Sequence, residues 1–199
     1  GSIPPQIGDL NQLKKLKLSR NNLTGSIPAQ IGNLINLTEL ALSNNNLENQ
    51  IPENLENLEH LKTFSVAGNQ LSGEIPAFLA TLDSLVELDL SRNQFEGEIP
   101  PELGNLVNLS ELILYENDLT GEIPRELGNL VNLTSLSLRQ ASLTGTIPPE
   151  LGNLSNCERL RLENNQLGGQ VPGEILNMTK LEVFTLNNNR FTDLPDLTG

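Results

Sequence analysis

Side chains that commonly carry out catalysis are few in this chain of 199 residues, which has one histidine, one cysteine and no tryptophan. His60 has no serine or cysteine in a matching place, so we predict a surface histidine and not a general base. Cys157 stands where equivalent segments have leucine, which predicts a buried, unreactive thiol. The carboxylates are spread along the chain and not clustered as metal ligands are. The sequence therefore predicts no enzymatic activity, no bound metal and no cofactor.

Composition narrows the class of protein and its partners. Aromatic residues make up only 3% of the chain, and leucine and isoleucine supply nearly all of the apolar side chains. A core of aliphatic side chains of one size is typical of similar units stacked on one another. The net charge of -13 argues against nucleic acid as a partner. No apolar run reaches the ~18 residues that a membrane span needs, so we expect no direct membrane insertion.

The chain repeats itself every 24 residues. The segment 25–28, Gly-Ser-Ile-Pro, returns in close copies at 73–76, 97–100, 121–124 and 145–148, and more loosely at 49–52 and 169–172. Because no insertion or deletion interrupts this spacing, we predict a single domain of eight units. Their bounds are 1–24, 25–48, 49–72, 73–96, 97–120, 121–144, 145–168 and 169–192.

Each unit carries the alternating pattern of a half-buried strand. Apolar residues occupy its sixteenth and eighteenth positions, as at Leu88 and Leu90, with polar residues beside them. One strand per unit is expected to pair in parallel with the strands of adjacent units. Proline at the fourth position excludes a long helix, and the segment that follows suits a short helical turn. Asparagine at the twenty-first position of seven units is predicted to bond backbone groups where the chain leaves the strand.

This pattern resembles the plant-specific class of leucine-rich repeats, as the segment from Leu109 to Pro124 shows most clearly. The resemblance covers essentially the whole chain. The sequence is similar to receptor-kinase ectodomains and to inhibitors of cell-wall polygalacturonases. It implies a leucine-rich-repeat solenoid: a right-handed superhelix with a parallel concave β-sheet, short 3-10 turns on the convex side and a second short strand. It also implies an extracellular or cell-surface location.

Six N-glycosylation sequons fit a secreted glycoprotein. They begin at Asn22, Asn36, Asn108, Asn132, Asn153 and Asn177. However, the repeat itself produces the string Asn-Leu-Thr, and a bacterial surface protein would carry the same strings unmodified. The sequons therefore give weak support to a eukaryotic origin.

Several features depart from the family pattern. The usual paired-cysteine caps are missing, and residues 193–199 resemble the start of a truncated ninth repeat. Both ends therefore indicate a fragment of a larger protein, with end-to-end association of a cap-free solenoid as the alternative. Ala141 replaces the asparagine of the sixth unit, which predicts either tolerated drift or a local change in curvature or a small recess at the concave rim. Asn49 and Glu56 replace glycines of the third unit, so we expect a looser convex side there.

Charges are predicted to be sorted between the two faces of the solenoid. Positions beside the buried strand residues point to the concave face, which receives nine of the 12 basic residues but only eight of the 25 acids. The concave face would then carry a net charge of +1 and the remaining surface -14. Arg92, Tyr115 and Arg139 are the expected anchors because interfaces favour arginine and tyrosine. The predicted ligand-binding residues are Lys14, Lys15, Lys17, Arg20, Lys62, Arg92, Tyr115, Arg139, Arg159 and Arg161.

We therefore hypothesise a recognition module whose concave face binds a protein or peptide with a partly acidic surface. One alternative is a structural spacer or adhesion segment without a dedicated ligand. Another is a polysaccharide-binding surface, for which the lysines of the first unit suit anionic sugars, whereas Tyr115 alone is a poor platform for neutral ones. An ice-binding surface is not expected, because the exposed strand positions are mixed and charged. The sequence does not predict the oligomeric state.

Overall fold

The computed structural model describes residues 1–194, and in it every 24-residue repeat forms one coil of a solenoid. One short strand per repeat joins an eight-stranded parallel sheet on the concave side, as predicted. The register advances by one repeat per strand, so that Leu16 pairs with Leu40. The strands are β1 (Lys15–Lys17), β3 (Glu39–Ala41), β5 (Thr63–Ser65), β7 (Glu87–Asp89), β9 (Glu111–Ile113), β11 (Ser135–Ser137), β12 (Arg159–Arg161) and β14 (Val183–Thr185).

A 3-10 helix of five residues begins directly after the Ile-Pro or Val-Pro step of each repeat. Proline fixes the backbone in the extended conformation that leads into the helix. It has no N–H to donate, but an N–H at the start of a helix has no acceptor within that helix. These helices form the convex side. They are η1 (Pro5–Asp9), η2 (Ala29–Asn33), η3 (Glu53–Asn57), η4 (Ala77–Thr81), η5 (Pro101–Asn105), η6 (Arg125–Asn129), η7 (Pro149–Asn153) and η8 (Gly173–Asn177).

A continuous apolar core lies between the concave sheet and the 3-10 helices. Leu88 and Leu90 are fully buried, which confirms the predicted alternation between core and concave face. Phe64 and Phe95 are the largest side chains with no exposed surface. In the first and last repeats some of the equivalent side chains, Leu18 and Leu186, are only partly covered, and Phe184 is 38% exposed.

The asparagines of the twenty-first position form the predicted ladder. The Nδ2 group of Asn45 donates to the carbonyl oxygens of Leu42, at 2.9 Å, and of Leu18 in the preceding repeat, at 3.0 Å. Its Oδ1 accepts from the backbone N–H of Leu23 at 3.0 Å. Each such asparagine thus satisfies backbone groups of two coils that would otherwise be buried without partners. The same three bonds recur at Asn69, Asn93, Asn117, Asn165 and Asn189.

The second short strand forms a separate sheet that is interrupted at the sixth repeat. There, Glu122 and Thr144 make only an isolated bridge, and Ser142 has a positive φ of 50° that no other repeat shows at this position. Ala141 stands at the ladder position of this repeat, so the N–H of Leu119 in the fifth repeat lacks the amide oxygen that the equivalent N–H of Phe95 receives from Asn117. The strands before it are β2 (Thr24–Gly25), β4 (Asn46–Asn49), β6 (Gln70–Glu74), β8 (Gln94–Glu98) and β10 (Asp118–Thr120), and those after it are β13 (Gly168–Gln170) and β15 (Arg190–Asp193).

Glycine at the eighth position of the repeat sets how closely neighbouring 3-10 helices approach. A Cβ atom at Gly32 would collide with the backbone carbonyl of Asn54 in the next repeat. Where Glu56 replaces this glycine, η3 and η4 pack less closely than the other pairs, and an open groove lies between them. The looser convex side predicted for the third repeat is therefore confirmed. The predicted ninth repeat, 193–199, lies outside the described residues except for Asp193 and Leu194.

Candidate binding surface on the concave sheet

The alternation of each strand puts all ten predicted ligand-binding residues on or beside the concave sheet. In β1, for example, exposed Lys15 and Lys17 flank buried Leu16. The structure brings these residues together on one wall, but it also shows that most of the cations already have acidic neighbours. The exposed or half-buried side chains of the wall are Lys14, Lys15, Lys17, Arg20, Lys62, Arg92, Tyr115, Arg139, Arg159 and Arg161.

The basic patch of the first repeat is partly neutralised by Glu39 of the second. The Glu39 carboxylate lies 2.6 Å from the Nζ of Lys17 and 3.2 Å from the Nζ of Lys15. The hydrogen bond from Lys17 is the largest cause of the lowered pKa of Glu39, and the bond from Lys15 adds to it. The one-repeat register makes this pairing necessary, because Lys15 and Glu39 are direct neighbours across the sheet.

Tyr115 and Arg139 form the centre of a second cluster. The Arg139 guanidinium carbon lies 4.0 Å from the centroid of the Tyr115 ring, which is the geometry of a cation–π contact. Arg139 also lies 3.2 Å from the Glu116 carboxylate, and Arg92 approaches the same carboxylate at 3.5 Å. The three expected anchors are therefore linked, since Arg139 stacks on Tyr115 and shares the Glu116 carboxylate with Arg92.

A long ion pair crosses strand β11 and joins the fifth repeat to the seventh. Arg159 of β12 reaches Glu111 of β9 at 3.7 Å, passing over Ser135 of β11, which pairs with both residues in register. It also lies 3.8 Å from Glu158. Ser135, which lies between the two charged residues, is only 7% exposed, although it is on the concave side of the strand.

Four of the nine concave cations have no ion pair within residues 1–194. Three of them lie in the first three repeats and the fourth in the seventh: Lys14, Arg20, Lys62 and Arg161. The fourth repeat instead presents Glu87 and Asp89. Burial raises the pKa of the Asp89 carboxyl, although its oxygen accepts hydrogen bonds from the hydroxyl of Ser91 at 2.7 Å and the N–H of Ser91 at 3.1 Å. The concave face is thus more positive at one end than its net charge suggests.

Ser137 is a residue of this face that the sequence analysis missed. Its Oγ is a buried polar atom without a hydrogen-bond partner in the described part of the chain. Comparable hydroxyls are paired with a residue 22 positions earlier, as Ser65 is with Ser43 at 2.5 Å. The sequence did indicate that the Ser137 hydroxyl would lack this partner. The residue 22 positions before it is Tyr115, whose polar atom is at the far end of its ring.

The remaining chemistry-bearing residues lie where the sequence predicted. His60 is exposed. Cys157 is fully buried, and burial raises the pKa of its thiol, which agrees with an unreactive core residue. Residues 1–194 contain no cluster of histidine, cysteine and carboxylate side chains suited to a metal ion. None of the helices in that range has the length and apolarity to cross a bilayer.

Comparison with known families matches the observed geometry. A model described as a leucine-rich repeat region matches residues 3–119, and a model of the single leucine-rich repeat matches 132–154 and 156–178. The chain belongs to the leucine-rich-repeat family. A comparison with curated proteins finds no match.

Solved structures of leucine-rich-repeat proteins match nearly all of this chain. The plant peptide hormone receptor RGFR1, in complex with RGF2, is 39% identical with a TM-score of 0.94 over 96% of this chain and 30% of its own. The Arabidopsis receptor kinase HAESA, in complex with the peptide hormone IDA and the co-receptor SERK1, is 38% identical with a TM-score of 0.92 over 96% and 33%. A leucine-rich-repeat protein of Leptospira interrogans is 37% identical with a TM-score of 0.84 over 96% and 47%.

The chain therefore resembles plant receptor ectodomains over 96% of its length. It spans about a third of the length of the two plant receptors. A bacterial leucine-rich-repeat protein is nearly as similar in sequence, so the degree of identity does not distinguish the two sources.

Proposed function

We propose that this leucine-rich-repeat chain is a non-enzymatic recognition module of a larger cell-surface or secreted protein. Its concave face binds a peptide or protein whose acidic side chains lie against the first three repeats. The carrying observation is the set of cations there that lack ion pairs in residues 1–194: Lys14, Arg20 and Lys62.

The distribution of ion pairs supports an acidic partner at this end of the sheet. A cation that already has a carboxylate neighbour gains less from an acidic ligand than one that does not, because the ligand must compete with the existing pair. Lys14 and Lys62 are exposed at the same position of the first and third repeats, while Lys15 and Lys17 are held by Glu39. Association is therefore expected to depend mainly on the first pair of lysines.

The known structures support a peptide as the ligand class. RGFR1 was solved with RGF2, and HAESA was solved with the peptide hormone IDA and a co-receptor. Both match this chain over 96% of its length. An extracellular location follows the same comparison, since these receptors present their repeats outside the cell.

The test is selection of peptides from a random library displayed on phage, followed by kinetic measurements with synthetic copies of the selected peptides. The variant K14Q/K62Q removes two cations without ion pairs, and K15Q/K17Q removes two that contact Glu39. We expect K14Q/K62Q to slow association about tenfold at low salt and to flatten its salt dependence. The matched control K15Q/K17Q should have a much smaller effect on association.

Two results would contradict the proposal. If no peptide is enriched over an unrelated solenoid used for counter-selection, the chain behaves as a spacer. If the selected peptides bind K14Q/K62Q as fast as the parent chain, the acidic partner is not placed on the first three repeats.

A further inference from the structure

One hydroxyl group of the concave sheet is buried without a hydrogen-bond partner. Ser137 ends the interior strand β11 and is 3% exposed, and its Oγ has no hydrogen-bond partner in residues 1–194. Burying a hydroxyl without a partner lowers stability, because its hydrogen bonds to water are lost and not replaced. A group of this kind at a predicted binding surface therefore requires a physical explanation.

The reason lies in the repeat geometry. The hydroxyl at this position normally meets the side chain 22 residues earlier: Ser65 meets Ser43, and Thr185 donates to Glu163. For Ser137 that residue is Tyr115, and no hydrogen bond joins the two side chains. The Tyr115 ring is stacked on Arg139, 4.0 Å from its centroid. Because Ser137 is 3% exposed and these are its neighbours on the concave side, we infer that the Tyr115–Arg139 stack covers it, and we call the place between Ser137 and the stack the slot.

The charges around this slot are already balanced. Arg139 lies 3.2 Å from Glu116, and Arg159 reaches over β11 to Glu111 at 3.7 Å. A charged ligand group would have to displace one of these pairs, whereas an uncharged group would gain a bond from Ser137 without doing so. A peptide amide carries both a donor and an acceptor, and the serine hydroxyl can accept or donate.

We propose that the slot above Ser137 receives an uncharged main-chain amide of an extended peptide, between Tyr115 and Arg139. This inference rests on the proposed function and adds its second contact, which fixes the position of the peptide along the sheet. Tyr115 is partly exposed, so its ring can change rotamer and open the slot while Arg139 keeps its ion pair with Glu116. Binding of a peptide is then accompanied by release of the stack.

The test uses the variant S137A and the phage-selected peptides. Removing an unpaired hydroxyl should leave the melting temperature unchanged or raise it, and should weaken peptide binding about tenfold. The matched control is S65A, at the same position of the third repeat, which removes the bond to Ser43. It should lower the melting temperature and leave the affinity unchanged. These opposite responses separate a ligand contact from a structural serine.

Tyr115 supplies a second readout, because it is the single tyrosine of a chain without tryptophan. Titration with peptides that lack aromatic residues should change its fluorescence as the stack with Arg139 opens. If S137A binds the peptides normally while K14Q/K62Q does not, the slot is wrong and the recognition function stands. A lowered melting temperature of S137A, or tyrosine emission that is constant at saturation, would also overturn the slot. If no peptide is selected at all, the recognition function itself fails.

Discussion

The Oδ1 atom of Asn165 accepts a hydrogen bond from the backbone N–H of Ala141 at 3.1 Å. The same oxygen accepts the N–H of Leu143 at 3.1 Å, which is the bond that the ladder asparagines of the other repeats make, except Asn21 at the end. One amide oxygen therefore holds two backbone groups of the repeat that lacks its own asparagine. The neighbouring rung compensates in part for the missing one, and the ladder tolerates a single gap.

Removal of an interior asparagine of the ladder should destabilise the protein. Asn117→Ala deletes bonds to the carbonyls of Leu90 and Leu114 and to the N–H of Phe95. We expect the free energy of unfolding to fall by about 1–3 kcal/mol, because these buried groups are left without partners. Urea denaturation measures it. The control is Asn21→Ala at the exposed end of the ladder, and an equal loss there would show that the interior bonds are not the cause.

Restoring the missing rung should stabilise the protein. Ala141→Asn supplies an amide to the carbonyls of Leu114 and Leu138 and to the segment of β10. The gain should be about 1 kcal/mol, the usual net value of such hydrogen bonds. Hydrogen exchange should slow at Leu119, whose N–H would gain the bond that the N–H of Phe95 makes to Asn117. Unchanged exchange at Leu119 would mean that the new amide does not join the ladder.

Close packing of the 3-10 helices predicts a strong effect at Gly128. A Cβ there would collide with the backbone oxygen of Glu150, which cannot move without displacing the next repeat. Gly128→Ala should therefore cost about 1–3 kcal/mol in the free energy of unfolding. Gly173→Ala is the matched control, because nothing lies within 4 Å of the added atom. Similar losses for the two variants would refute the role of this glycine.

Asp89 should make stability depend on pH. Because burial raises its folded-state pKa, the folded protein binds the proton more tightly than the unfolded chain, and stability rises as pH falls through the folded pKa. Asp89→Asn keeps the oxygen that accepts from Ser91 and removes the charge. It should stabilise the protein at neutral pH by up to about 1 kcal/mol, and the gain should shrink in acid. Denaturation at several pH values checks this, with Glu87→Gln as the exposed control from the same strand.

The fold was predictable because its determinants recur in every repeat. Leucine at alternate positions, proline before the helix and asparagine after the strand each act locally, and the 24-residue spacing fixes the register. The close approach at Gly32 and the looser packing at Glu56 follow from the same logic, since a side chain at that position must push the next coil away.

The binding surface was less predictable because long side chains choose among several neighbours. The sequence places Lys15 beside Glu39, and this pair was in principle readable from the register. The ion pair between Arg159 and Glu111, across a whole strand, could not be read from the register, because it depends on the small side chain of Ser135 between them. Counting charges by face therefore overestimates the number of cations that a ligand meets unpaired.

The interruption of the second sheet has a consequence for the shape of the inner wall. The concave sheet runs through all eight repeats, whereas the strand pairing of the other layer stops at β10 and resumes at β13. Only single backbone hydrogen bonds, such as those from Thr144 to Gly121 and from Gly168 to Gly145, join the layer between them. A solenoid bends most easily where one of its two sheets is interrupted, which here is the sixth repeat. Flexing at the sixth repeat would alter the radius of the arc and preserve every strand pairing along it. The protein could in this way accommodate ligands of different thickness with a single uninterrupted contact surface.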